Sequence, residues 1–234
     1  MRMSHRRSLY GGGIPPVPAS WATHAVVAST GSWSPDTAGW YRFYVIGQGG
    51  NGGSGGYYRN TSFGITRKAG GGGGGTGGVA IHQLYLTPGN SVSITVDTAQ
   101  TELSYGEETV TATAGTSGQG GNTSGAAIPG TGGEGGSASG GNVSNIAGAQ
   151  GSAGGATEGT TNVQGGGGGT PTAEMKYVVS APASSGGASG AAAPYSTDDS
   201  APQMGGGGAG GSVASRNTSG GAGAPGGVVI EAGA

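Results

Sequence analysis

His5, His24 and His82 are the chain's three histidines, and none has a second ligand at the spacing of a helix or turn metal motif. Cysteine is absent, which excludes thiolate metal sites, thiol nucleophiles and disulfides. Acids stand in two adjacent pairs, Glu107-Glu108 and Asp198-Asp199. Adjacent carboxylates hold Ca2+ only where loops converge on them, so both pairs read as solvated turns. GxGxxG-like strings are unavoidable among 60 glycines and carry no dinucleotide signal without a following helix. Asn60, Asn122, Asn142 and Asn217 fall in N-x-S/T sequences. No secretory leader is expected at residues 1–10, so these sequences read as coincidences. The chain reads as a non-enzyme, with no cofactor.

Residues suited to recognition are easier to find. The segment 57–68 carries Tyr57, Tyr58, Arg59 and Phe63. Tyrosine and arginine give large contacts at low entropic cost, and exposed aromatics also suit stacking on sugars. Residues 170–185 bring Lys176 and Tyr177, and residues 191–204 bring Tyr195, Asp198 and Asp199. These three segments interrupt long glycine-rich stretches, and they are the candidates for contact with a receptor or partner. Arg2, Arg6, Arg7 and Tyr10 belong to a basic N-terminal arm. Its glycines 11–13 and Pro15, Pro16 and Pro18 favour extended backbone. That arm, residues 1–20, is expected to dock on another protein.

The elements that must position these residues are unusual. Glycine supplies 60 of 234 residues, against a usual share of roughly 7%. Charged residues make up 9% and apolar residues 32%, so a large core of Leu, Ile and Phe is not available. Net charge is −2, which gives no general attraction to nucleic acid. No apolar run is long enough for a membrane span. Flexible linkers are the plain reading of such a composition. The alternative is an ordered one. Segments such as 49–56, 70–78 and 132–136 keep a G-G-x spacing, and 165–169, 205–211 and 220–227 are similar. Extended glycine helices of the polyproline II type have three residues per turn and no internal hydrogen bonds. Packed side by side, they can pair every N–H and C=O with a neighbour.

Strand signals gather in residues 21–114. Residues 21–29 and 39–47 are apolar or aromatic runs. Residues 79–86 and the alternating stretch 92–96 flank a turn at Thr87-Pro88-Gly89-Asn90, which predicts a hairpin. Residues 109–114 form one more strand. Residues 115–234 read as glycine rods with loops, closed by a short strand at 226–231. No window has a helical period. The expected fold is all-β: a small antiparallel sheet or sandwich plus a bundle of polyglycine II helices, with essentially no α-helix.

The order of these elements resembles the glycine-rich domains of bacteriophage tail fibres and tail-tip adhesins. The resemblance runs through Thr30-Gly31-Ser32-Trp33-Ser34-Pro35 and the strand over 39–46 that enters a glycine tract. It continues through the block at 84–96, Ser104-Tyr105-Gly106, Thr109 to Ala112, and the closing Gly226-Gly227-Val228-Val229-Ile230-Glu231. It covers roughly residues 30–115 and the last dozen. The chain departs from the pattern at Asp97-Thr98-Ala99-Gln100, where the family usually has glycine, and in its N-terminal arm. The resemblance implies a place on the virion tail, with other tail proteins as partners. It also implies that loops between rods contact a host glycan or outer-surface protein. A virion decoration protein without host contact is the first alternative, and an ice-binding or extracellular matrix protein the second. Exposed sheet edges also favour a homo-oligomer.

Overall fold

The computed structural model describes residues 13–185 and 187–234, and every regular element among them is a β-strand. Arg2, Arg6, Arg7 and Tyr10 lie outside the described residues. The first strands are β1 (Trp21–Val27), β2 (Gly31–Trp33), β3 (Gly39–Ile46), β4 (Gly56–Asn60) and β5 (Ile65–Ala69). Next come β6 (Val79–Leu86), β7 (Val92–Val96), β8 (Gln100–Tyr105) and β9 (Glu108–Thr113). Short strands β10 (Ala138–Ser139), β11 (Ser144–Ile146) and β12 (Ala156–Glu158) precede the closing β13 (Gly227–Gly233).

Two antiparallel sheets, in the orders β1-β13-β3-β6-β11 and β10-β9-β8-β7-β2, face each other as a sandwich. Period-two alternation sends Tyr41, Phe43 and Val45 of β3 inward with Val228 and Ile230 of β13. They meet Val92 and Ile94 of β7, Leu103 of β8 and Val110 of β9. Trp33 closes one side of this core, its ring edge-on to Tyr41 at 5.0 Å and to Phe43 at 5.7 Å. The intervening residues Tyr44, Ile46 and Val229 point to the opposite face. Met175, Tyr177, Val178 and Met204 cover them there. Burial on both faces explains why β3 and β13 read as continuous apolar runs rather than as alternating ones.

The hairpin expected from 79–96 does not form. β6 pairs with β3 and β11, whereas β7 pairs with β8 and β2. The turn at Thr87–Asn90 carries the chain from one sheet to the other, and both flanking strands place buried side chains, Leu86 and Val92, in the shared core. The closing strand runs between β1 and β3, in the first sheet. The described part of the arm lies against its own sandwich: Trp40 Nε1 donates to the Pro15 carbonyl at 2.8 Å, and Ala234 N to that of Ser20 at 3.2 Å.

The glycine tracts satisfy their backbone by pairing with one another. Every N–H from Gly70 to Gly78 donates to another tract at 2.7–3.1 Å. Gly70, Gly73 and Thr76 bond to Gly155, Ser152 and Ala149; Gly71, Gly74 and Gly77 to Gly211, Gly208 and Gly205; Gly72, Gly75 and Gly78 to Gln119, Thr116 and Thr113. Each set steps by three residues, and its partners run antiparallel. The carbonyls follow the same rule. They accept from Gly130, Gly133 and Gly136, from Gly166 and Gly169, and from Gly53, Gly50 and Gly47. Six tracts thus enclose residues 70–78.

The spacing leaves no room for a side chain. A Cβ at Gly73 would lie 1.9 Å from the Gly167 carbonyl oxygen, and one at Gly74 would lie 2.0 Å from that of Gly50. Thr76 is the one residue of the central tract with a side chain. The tract that meets Gly70 and Gly73 through Gln164 and Gly167 has its last glycine at 169, so position 76 lies beyond its reach. There the Thr76 hydroxyl accepts from Ala149 N at 2.7 Å. Several non-glycine members of the outer tracts, among them Asn51, Ser54, Gln119 and Glu134, face solvent, whereas Ala209 is buried.

Candidate recognition surface

The registers sort the reversals into two ends. Gly47, Gly78, Thr113, Ser137, Gly205 and Pro225 are joined by hydrogen bonds next to the sandwich. Gly55, Gly70, Gly121, Gly130, Gly155 and Thr218 lie at the far end, where Gly55 bonds Thr218 and Gly70 bonds both Gly130 and Gly155. The far end therefore carries the β4–β5 hairpin, the reversals at 122–129 and 156–163, and the one at 213–217.

The hairpin projects from the ends of two tracts that are fixed along their length. Asn60 Oδ1 accepts from Ser62 N at 3.0 Å and Phe63 N at 3.3 Å, and Gly64 takes φ +65° to close the turn. Phe63 at the tip is 77% exposed, with Tyr58 and Ile65 partly exposed beside it. The base is pinned. Lys68 is buried and its Nζ donates to the Thr160 carbonyl at 2.6 Å and to Asn162 Oδ1 at 3.3 Å. β12 pairs with β5, and on that face Arg67 lies 3.5 Å from Glu158 and 5.7 Å from the Tyr58 ring centroid. Tyr57 N donates to Asn217 Oδ1 at 2.6 Å, which ties the hairpin to the 213–217 reversal.

Tyr57, Tyr58, Arg59 and Phe63 thus share one end. Lys176, Tyr177, Tyr195, Asp198 and Asp199 belong to reversals at the sandwich end, so one surface does not hold both groups. Tyr177 is buried, its ring edge-on to Tyr44 at 5.0 Å and its hydroxyl donating to Glu231 at 2.6 Å. Its place is in the core, which corrects the expectation of a contact residue. Lys176 Nζ also bonds Glu231, at 2.5 Å, and Arg42 approaches the same carboxylate to 3.9 Å while lying over the Trp21 ring. Burial works against the Lys176 charge, but the bonds to Glu231 and Tyr177 outweigh it and hold the amine above the ordinary lysine range. Burial first, and then Glu231, raises the Tyr177 phenol. Tyr195 is exposed. Asp198 accepts from Ser200 N at 2.9 Å and Ser200 Oγ at 2.8 Å, bonds that lower its carboxyl. Glu108 takes His82 Nε2 at 3.1 Å, so the first acidic pair also braces the fold.

No protein-family model matches the chain, and no curated protein matches it either. Its chemistry is therefore read from its own residues. Among the described residues no three His, Asp or Glu side chains gather as a cation site, and no helix is long and apolar enough to cross a membrane. What the sequence reading passed over is a repeat. Asn60-Thr61-Ser62, Asn122-Thr123-Ser124 and Asn217-Thr218-Ser219 all fall at the far end. In each, the asparagine Oδ1 accepts a backbone N–H, from Ser62, Ser124 and Tyr57 respectively. The recurrence of Asn-Thr-Ser at the end of glycine-rich stretches was the signal for these reversals.

Proposed function

We propose that the protein is a non-enzymatic structural component of a phage tail fibre or tail tip, and that its far end is a host-recognition surface. The tracts are polyglycine II helices packed as a bundle. Bonding that returns to the same neighbour every third residue supports this, as does the absence of room for Cβ atoms at the glycines of the central tract. At about 3.1 Å per residue, residues 70–78 span roughly 25 Å. The bundle is a stiff spacer between the sandwich and the reversals. The sandwich and the N-terminal arm contact other tail proteins.

The observation that carries the reading is the β4–β5 hairpin: an exposed Phe63 and Tyr58 on a base pinned by Lys68 and Arg67, at the end away from the sandwich. An exposed aromatic tip on a preorganised base is suited to binding, because little order remains to be lost on contact. Virions carrying Tyr58→Ala and Phe63→Ala together are expected to adsorb to their host at least about tenfold more weakly, the scale of an aromatic anchor in an interface. Melting of the purified variant should match the parent. Unchanged adsorption would defeat the adhesin reading.

A further inference from the structure

Beside the hairpin an open groove of about 810 Å³ runs between β4, the 122–124 reversal and Asn217. We infer that it takes a neutral, hydroxyl-rich sugar unit. This rests on reading the far end as the recognition surface and names the ligand class.

The lining is the argument. Strand β4 borders one side, with Tyr57 and Tyr58 on its two faces, and Asn122, Thr123, Asn217 and Ser54 supply amides and hydroxyls. The remaining surface is mostly glycine, with Gly55, Gly56, Gly120 and Gly121 leaving backbone open to close approach. No charged side chain lines the groove. Arg67, whose guanidinium lies over the Tyr58 ring, is held by Glu158, and neither it nor Arg59 is part of the lining. An anionic ligand would find no counter-charge, and a cationic one no carboxylate. An apolar ligand would leave the amides unpaired.

The amides are also oriented. Asn122 Oδ1 is occupied by Ser124 N at 2.9 Å and Ser124 Oγ at 2.8 Å, and Asn217 Oδ1 by Tyr57 N at 2.6 Å. With each oxygen engaged, Nδ2 is the end that remains to donate. The Thr123 and Ser54 hydroxyls line the same groove. Fixed amide donors, adaptable hydroxyls and a tyrosine of the bordering strand suit the hydroxyls and the C–H face of a pyranose. The groove size lies within the usual range for small ligands, about 300–1,000 Å³. Its three contributing segments are held in place by tracts bonded to one another.

The test uses the full chain, 15N-labelled. It is titrated with the methyl glycosides of glucose, galactose and mannose and with N-acetylglucosamine. N-acetylneuraminic acid and glucosamine serve as anionic and cationic controls. At least one neutral sugar should shift the side-chain amides of Asn122 and Asn217 saturably, and neither control should. Tyr57→Ala and Thr123→Val, with parental melting, should each weaken that sugar by about tenfold, the scale of one lost stacking or hydrogen-bonding partner. Amides that move with no neutral sugar, or that move as much with a control, overturn the inference, and so do variants of unchanged affinity. Because the amide shifts are read on the parent chain, the test stands even if a variant fails to fold. Sugar binding alongside undiminished adsorption of the Tyr58→Ala, Phe63→Ala double variant would defeat the adhesin reading alone. Lost adsorption without any sugar bound would defeat this inference alone.

Discussion

Gly74→Ala is expected to destabilise the fold by at least about 4 kcal/mol, or to prevent folding, although it adds a single methyl group. The new Cβ would lie 2.0 Å from the Gly50 carbonyl oxygen and 2.4 Å from its carbon. A shift of more than about 1 Å is needed to relieve that overlap, and hydrogen bonds weaken steeply over such a distance. Gly74 N bonds Gly208 at 2.9 Å, Gly169 bonds the Gly74 carbonyl at 2.9 Å, and Gly50 N bonds Gly75 at 2.8 Å. Loss of three such bonds, at about 1 kcal/mol each, adds to an overpacking cost of about 1–3 kcal/mol. Two controls set the scale. A Cβ at Gly120 meets the flexible Ser54 Oγ at 3.1 Å, so Gly120→Ala should cost little. At Gly125 a Cβ meets nothing within 4 Å and φ is not positive. Gly125→Ala should be neutral, or stabilising by about 0.4–1 kcal/mol through the unfolded chain. Urea denaturation of the three variants checks the order. Equal effects at 74 and 125 would contradict the close-packed tracts.

The second large effect is expected at Glu231, a fully buried carboxylate that gathers Lys176, Tyr177 and Arg42. Glu231→Ala should cost about 3 kcal/mol, the low end for breaking a buried pair, because Lys176 and part of Arg42 can still reach water. Tyr177→Phe removes one hydroxyl from the same group and should cost about 1 kcal/mol. The alkaline side gives a further readout. Lys176 and Tyr177 are both raised in the folded state, and Tyr44 is raised by burial. Groups raised on folding contribute stability that is complete below their unfolded values and is lost as pH climbs through the folded ones. The melting temperature should therefore decline above pH about 10, where tyrosine begins to ionise in the unfolded chain. In Glu231→Ala that decline should be shallower. Thermal melts at pH 7 and across pH 9–11 measure both effects. A Glu231→Ala variant with parental stability would show that the carboxylate is not the organiser of this face.

Much of the sandwich was legible because its strands carry their own signal. The aromatic and β-branched run of β3, the alternation of β7 and the closing β13 stand almost where the residues placed them. Partner choice was not legible. A Pro-Gly turn between two strands fits a hairpin and a crossing between sheets equally well in sequence, and only the shared core separates them. β8 was hidden because Thr101 and Leu103 face inward among Gln100, Glu102 and Ser104, which leaves Leu103 and the half-buried Tyr105 as its two large apolar residues in six. The second face of β3 was equally hidden. Met175, Tyr177, Val178 and Met204 come from segments that read as loops, and the Glu231 partners Lys176 and Tyr177 are 55 and 54 residues away in sequence. At the far end the aromatics of 57–68 stood out, whereas Asn122 and Asn217 looked like incidental sequons until the reversals brought them beside Tyr57.

Glycine as an interior is the point on which the other claims depend, and amide hydrogen exchange addresses it directly. Residues 70–78 donate all nine of their N–H groups to surrounding tracts and expose none of them. Their amides should exchange only through global unfolding, as slowly as those of β3 and β13. If the amides of Gly71 to Gly75 exchange at the rate of an unstructured peptide while β3 stays protected, the tracts are linkers and the account fails.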